Sequence, residues 1–209
     1  MKIVISESQY QRLTETKEEP KILKFPSLEF FDKDPEIAWN IIQKIVERKG
    51  NPPYSIEGDL YLEGTRIESL GNLQSVGGSL YLGNTPIESL GNLQSVGGDL
   101  DLYGIPIKSL GNLQSVGGDL NLDGALIKSL GNLQSVGGDL WVKDTPIKSL
   151  GNLQSVGLNL NLRYTPIESL GKLTSVGGNL YLIETPLSKM YSGKQIRQMV
   201  NVGRKIYLY

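Results

Sequence analysis

Residues 69–78 read SLGNLQSVGG, and the same ten letters return at Ser89, Ser109 and Ser129. A fifth copy at Ser149 differs only in its last letter, Leu158, and a sixth at Ser169 reads SLGKLTSVGG. The copies start every 20 residues, and a period kept this long marks a repeat architecture before any other reading is attempted. Counted from its apolar first letter, the unit begins at Ile56, Val76, Val96, Val116, Val136, Val156 and Val176. Its majority form is V-G-G-D-L-Y-L-x-x-T-P-I-x-S-L-G-N-L-Q-S, with apolar letters at places 1, 5, 7, 12, 15 and 18.

Places 5 and 7 alternate with polar or aromatic letters, as in Leu80-Tyr81-Leu82 and Leu100-Asp101-Leu102, and alternation by two is the mark of a strand. The later apolar places are spaced by three, but Pro at place 11 and Gly at place 16 argue against a regular helix there. Each unit therefore predicts one short strand, a corner and a non-helical return. Units of equal length stack their strands in parallel about 4.8 Å apart, so each inward Leu or Ile meets its counterparts above and below. Burying such a side chain is worth about 1.5–3 kcal/mol, and six apolar places per unit give the stack a core that no unit forms alone. The Gly pair at places 2 and 3 reads as a tight turn into the strand. Thr at place 10 (Thr65, Thr85, Thr145, Thr165, Thr185) reads as a backbone partner at the corner, with Ile105 and Ala125 breaking the column.

The L-x-L-x-x-T-x-I stretch resembles the leucine-rich-repeat signature, with Thr in the usual Asn place, and a 20-residue unit is similar to the short repeats of bacterial members. The V-G-G-D-L-Y-L wording also resembles the L-domains of receptor ectodomains. The resemblance covers residues 56 to about 187. It implies a repeat solenoid with one parallel β-sheet of about eight short strands, and a fold used mainly for binding. The first apolar place sits one residue earlier than in leucine-rich repeats, which leaves the curvature open, and the Cys bridges of receptor L-domains are absent.

The ends read as caps. DKDPEIAWNIIQKIVERKG predicts a helix: Asp34 is the N-cap, Pro35 sits in the first turn, and Gly50 is the stop. Its apolar face is Ile37, Ala38, Ile41, Ile42, Ile45 and Val46. At the other end VGRKIYLY, from Val202, aligns with the start of a unit and predicts an eighth strand with Ile206 and Leu208 inward. The extra residues in SKMYSGKQIRQMV predict a short helix with Ile196, Met199 and Val200 inward. The organisation is an N-terminal segment (1–33), a helical cap (34–55), seven repeats (56–187) and a helix-plus-strand cap (188–209). SESQYQRLTE reads as a short helix. The opening resembles the short N-terminal segments of some tailed-phage proteins, in some of which a site such as Leu13-Thr14-Glu15 is cleaved. KFPSLEFF reads as packing against the helical cap.

Composition narrows the functional classes. The chain of 209 residues has no Cys and no His, which removes disulfides, thiolate metal sites, and the commonest general base. A net charge of −1 gives no general affinity for nucleic acid. The only early apolar run, Ile3 to Ile5, is too short for a signal peptide, and no stretch approaches a membrane span. The expectation is a soluble, cytoplasmic or virion-associated chain, not an enzyme, with no cofactor.

Letters vary most on one row set. Place 6 reads Tyr61, Tyr81, Asp101, Asn121, Trp141, Asn161, Tyr181, and place 8 includes Glu63, Tyr103, Asp123, Lys143, Arg163 and Ile183. Place 9 includes Asn84, Asp144, Tyr164 and Glu184. Places 6 and 8 point outward from the sheet side by side. One reading is a binding face for a protein partner, anchored by Tyr, Trp and Arg, with an acidic middle that suits a basic segment. The other is drift on an exposed surface, although Asn at place 17 and Gln at place 19 hold constant. A structural role as a spacer or assembly element, phage-encoded in origin, is the alternative function. The stacked Asp99, Asp119 and Asp139 place like charges close together, which a cation such as Ca²⁺ or backbone N–H groups would offset. Glycosidase chemistry at Asp101 and Asp123 lacks a pocket on an open sheet, and the V-G-G turns lack the Lys-Ser/Thr and helix of a phosphate loop.

Overall fold

The computed structural model describes residues 21–209. The helix expected in SESQYQRLTE and the site at Leu13-Thr14-Glu15 lie outside the described residues. The chain winds into a parallel β-solenoid, one coil per 20-residue unit. The expected sheet is present. Its eight strands run from Leu60–Tyr61 through Leu80–Tyr81, Leu100–Asp101, Leu120–Asn121, Leu140–Trp141 and Leu160–Asn161 to Leu180–Tyr181 and Ile206–Tyr207. All are parallel and in register, Leu on Leu at place 5 until Ile206 meets Leu180 in the last pair. We call it the front sheet.

A second parallel sheet, the side sheet, is added to the single one expected. It has nine strands, and in each repeat it takes places 20 and 1, as in Ser95–Val96 and Ser115–Val116. Those letters lie in the return, where Ser-Val followed by Gly-Gly gives too short an alternation to be read as a strand. The pairing across coils reveals it, since Gln94 N–H donates to the Gln74 carbonyl at 2.8 Å and Gly97 N–H to the Val76 carbonyl at 2.8 Å. The third side of the coil has only the isolated bridges Ser89–Ser109 and Ser149–Ser169. Returns within the repeats are non-helical, as expected.

The six apolar places face the core. In the coil from Val76 to Ser95 all are buried, none more than 1% exposed. Place 10 is buried as well, and the Thr hydroxyls there donate to the carbonyl three residues back at 2.7 Å, as from Thr85 to Leu82 and from Thr145 to Val142. Ile105 and Ala125 fill the same inward position without the bond. The glycines at place 2 are fixed for a different reason from the one expected. Their φ is not positive; instead a Cβ on Gly117 would lie 2.1 Å from the Gly97 carbonyl oxygen, and one on Gly137 would lie 2.0 Å from that of Gly117. Backbone of one coil rests directly on backbone of the next.

Helix α1 (Pro35–Arg48) closes the N-terminal end. Asp34 caps it, accepting from Glu36 N–H at 2.9 Å and Ile37 N–H at 3.1 Å. Its buried face is Ala38, Trp39, Ile42 and Val46, so the expected face is corrected: Ile37 is 50% exposed and Trp39 takes the inward place. Trp39 packs near Tyr54, whose hydroxyl donates to the Leu70 carbonyl at 2.8 Å and accepts from Gln43 at 2.9 Å. Burial pushes the Tyr54 phenol well above its usual range. KFPSLEFF packs on this cap as expected and does more, since Leu23–Phe25 is the first strand of the side sheet, parallel to Tyr54–Ile56.

The C-terminal insertion forms two helices rather than one, α2 (Pro186–Met190) and α3 (Gly193–Met199), the latter opened by a capping box of Ser192 and Gln195. Leu187, Ile196 and Val200 are buried, but Met199 is 47% exposed, because the helix stops there and Val200 turns into the strand Asn201–Val202. The last strand follows in the expected register, Ile206 on Leu180 and Tyr207 on Tyr181. Among the described residues no helix is long and apolar enough to cross a membrane.

Candidate functional site on the front sheet

Three rows run along the front sheet, and each has its own physics. The place-4 row is a hydrogen-bonded ladder. Asp59 Oδ1 accepts Ser79 N–H, Asp99 Oδ1 accepts Asp119 N–H at 2.8 Å, and Asp119 Oδ1 accepts Asp139 N–H at 2.6 Å. Asp139, Asn159 and Asn179 continue it to Lys205. The expected backbone bonding is therefore present, but each carboxylate serves the next coil rather than its own turn. That explains how like charges stack, and why Ser and Asn replace Asp without a break. Among the described residues no group of three acidic side chains is placed to hold a metal.

The place-6 row carries the large outward side chains. Tyr61 and Tyr81 stack with centroids 5.0 Å apart, and Tyr181 and Tyr207 stack at 4.7 Å. Tyr61 is 51% exposed, while Tyr81, Asp101, Asn121, Trp141 and Tyr181 are half-buried. Asn161 is the exception among the expected face residues: it is only 5% exposed, so it serves its neighbours.

Place 8 lies beside it. Glu63 and Tyr103 are exposed, Tyr103 at 62%, and Asp123, Lys143 and Arg163 are half-buried. Asp123 Oδ1 accepts Lys143 N–H at 2.7 Å. Burial raises the Asp123 carboxyl above the usual range, more than the Lys143 bond and the charges of Lys143 and Arg163 lower it. Lys143 lies 3.3 Å from Asp144 and over the Tyr164 ring at 5.6 Å. Arg163 lies over Tyr181, 5.3 Å from the ring centroid, with its Nε donating to Asn161 Oδ1 at 3.0 Å.

Place 9 turns the chain off the sheet in the left-handed region in every coil. Gly64, Gly104 and Gly124 take it without strain, Asn84 and Asp144 tolerate it, and Tyr164 (φ 58°) and Glu184 (φ 55°) do so against their preference. The expected site did not include Tyr164 or Tyr207. The repeat alignment places Tyr207 at place 6 of the last coil, and Gly, Asn and Asp at place 9 signal the left-handed turn that makes Tyr164 unusual.

The other sides are uniform. Along the side sheet the Ser-Val-Gly letters line an open groove of about 720 Å³ with no charged residue in its wall. Side chains of the constant Asn and Gln bond between the first coils, Asn92 donating to Asn72 at 3.1 Å, Asn112 to Asn92 at 3.4 Å and Gln94 to Gln74 at 2.5 Å, while Asn152 donates to the Gly131 carbonyl at 3.1 Å. Lys172 extends the Asn row, donating to Asn152 at 3.0 Å. No family model, curated protein or solved structure matches the chain.

Proposed function

We propose that the protein is a non-enzymatic binding module that recognises a protein partner through the outward face of the front sheet. The observation that carries this reading is the coincidence of variety and exposure on one side only. Tyr61, Tyr81, Tyr103, Trp141, Arg163, Tyr164 and Tyr181 share that side, and these residue types dominate binding hot spots. The side groove and the Asn and Gln rows repeat nearly the same letters coil after coil, so they offer a partner little that distinguishes one coil from another. The resemblance to leucine-rich repeats, carried by L-x-L-x-x-T-x-I, points the same way. The acidic middle, with Asp99, Asp101, Asp119, Asp123 and Asp139, suits a basic stretch of the partner.

The test is affinity capture from a lysate with the wild-type protein, a Trp141→Ala/Tyr103→Ala double variant, and a ladder-side control, Asn132→Ala/Gln114→Ala. Two anchors worth about 2 kcal/mol each set an expected loss of several hundredfold or more in the first variant. The control should capture as wild type does. Unchanged capture by Trp141→Ala/Tyr103→Ala, with its circular dichroism intact, refutes the reading.

A further inference from the structure

We propose that Arg163 is a preorganised carboxylate fork, taking the side chain of one Asp or Glu in the partner's docking segment; this rests on the front sheet being the binding face. Three contacts fix the residue. Its backbone N–H donates to Asn161 Oδ1 at 3.3 Å, its Nε donates to the same oxygen at 3.0 Å, and its guanidinium lies over the Tyr181 ring. Each support is itself held. Asn161 is buried at 5% exposure, and Tyr181 is stacked by Tyr207 from the following coil while Arg163 comes from the preceding one. An exposed arginine ordinarily loses much rotamer freedom when it binds. Here Nε is committed and the plane is set, so the two Nη groups are presented as a fixed pair of donors.

Nothing in the described residues uses that pair. None of the four ion pairs there includes Arg163, and neither Nη group donates a hydrogen bond. The neighbouring cation differs, since Lys143 lies beside Asp144. Asp123, two coils away on the same row, feels the Arg163 charge but forms no ion pair or hydrogen bond with it. Guanidinium forks match carboxylate and phosphate alike. The surroundings favour the carboxylate: Asp123, Asp139 and Asp144 on nearby coils oppose a doubly charged phosphate more than a single negative charge. Trp141, half-buried one coil back, and Tyr164, 52% exposed next to Arg163, supply apolar surface for the peptide carrying the acid. Tyr164 is also held at φ 58°, a conformation unfavourable for a bulky side chain. The partner segment is thus expected to be bipolar, basic opposite the Asp-rich middle coils and acidic at the coil of Arg163.

The fork is read directly by NMR of the arginine Nε–H resonances, titrating the whole protein with N-acetyl-glutamate amide, N-acetyl-glutamine amide and inorganic phosphate. Arg66 and Arg204, both exposed, are internal references. Arg163 should saturate with the glutamate probe at a concentration about tenfold below the references and ignore the glutamine probe. Asn161→Leu and, separately, Tyr181→Leu should each bring Arg163 back to the level of the references. Equal response of all the arginines, or tighter response to phosphate than to the carboxylate, overturns the proposal. Lost capture by Trp141→Ala/Tyr103→Ala together with an unresponsive Arg163 overturns the fork alone. A responsive Arg163 with unchanged capture overturns the face, and with it the partner assigned to the fork.

Discussion

Gly117→Ala tests the backbone-to-backbone packing of successive coils. The added Cβ would stand 2.1 Å from the Gly97 carbonyl oxygen and 2.9 Å from its carbon, whereas real Cβ atoms essentially never come under 3.0 Å. The obstacle is backbone, so it cannot swing aside, and the two coils must part by nearly an ångström. Gly117 N–H donates to the Val96 carbonyl and Gly118 N–H to that of Gly98, both at 2.8 Å, and a gap of that size takes both out of bonding range. Overpacking costs about 1–3 kcal/mol, and each weakened bond about 0.5–1.5 kcal/mol, so the expected loss is about 4 kcal/mol. Gly124→Ala is the control. Its φ is +72° but nothing lies within 4 Å of the new Cβ, so only the left-handed backbone is strained, at a cost of about 1–2 kcal/mol. Urea unfolding followed by circular dichroism gives both values. Hydrogen exchange should show faster opening at Gln114, Gly117 and Gly118 in the first variant alone. Equal destabilisation by the two substitutions would refute the claim that coil-to-coil contact, rather than turn geometry, fixes glycine at place 2.

The acidic ladder and the raised carboxyl give two further expectations. Asp119→Ala leaves Asp139 N–H without its acceptor and should cost about 1–2 kcal/mol in urea, whereas Asp119→Asn keeps an oxygen there, removes one stacked charge, and should be at least as stable as wild type. Added Ca²⁺ should leave the melting temperature of both wild type and Asp119→Asn unchanged; a rise confined to wild type would mean that a cation bridges the column. For Asp123 the sign follows from its raised pKa. The folded state holds this proton more tightly than the unfolded chain, so this group favours folding in acid, and that contribution is lost as pH rises through the carboxylate range. Asp123→Asn should therefore be more stable than wild type at neutral pH, with the gap closing towards about pH 3. A gap that widens in acid would overturn the assignment.

The inward letters were legible because burial and periodicity are the same signal. Leu80, Leu82, Ile87, Leu90 and Leu93 repeat at fixed places, and stacking in register follows from equal unit length. The side sheet was not legible, because its strands are two residues long in most coils and their partners lie a full unit away in sequence. Trp39 was hidden by a run of isoleucines that fits the helix face equally well on paper; the packing of Tyr54 selects the tryptophan side. Of the front face, outward placement could be read residue by residue, but burial of Asn161 could not. Its amide is polar and sits in an outward row, but Trp141 and Tyr181 flank it and the Arg163 Nε–H bonds to it.

Side-chain bonds between the first coils bear on what the constancy of the repeat means. Invariant Asn and Gln on an exposed side make the variable front row stand out as if change had been favoured there. The Asn72–Asn92 and Gln74–Gln94 bonds account for constancy in the first coils only, since among the described residues Gln114, Gln134 and Gln154 make no such side-chain bond and Asn152 donates to the Gly131 carbonyl instead. Place 6 mixes the stacked pairs Tyr61–Tyr81 and Tyr181–Tyr207 with Asp, Asn and Trp, so variety there is compatible with stacking before any ligand is invoked. Residues chosen against local preference add weight to the pattern of variation. Place 9 accepts glycine in three coils without strain, so drift alone has no reason to retain a tyrosine there at about 1–2 kcal/mol. Tyr164 stands between Lys143, which covers its ring, and Arg163, whose fork is fixed by two neighbours and left without a carboxylate among the described residues. On the proposed reading, strain beside a cation whose Nη groups make no hydrogen bond places the front sheet's most specific chemistry in its C-terminal half, away from the Asp ladder whose Oδ1 atoms already serve the backbone.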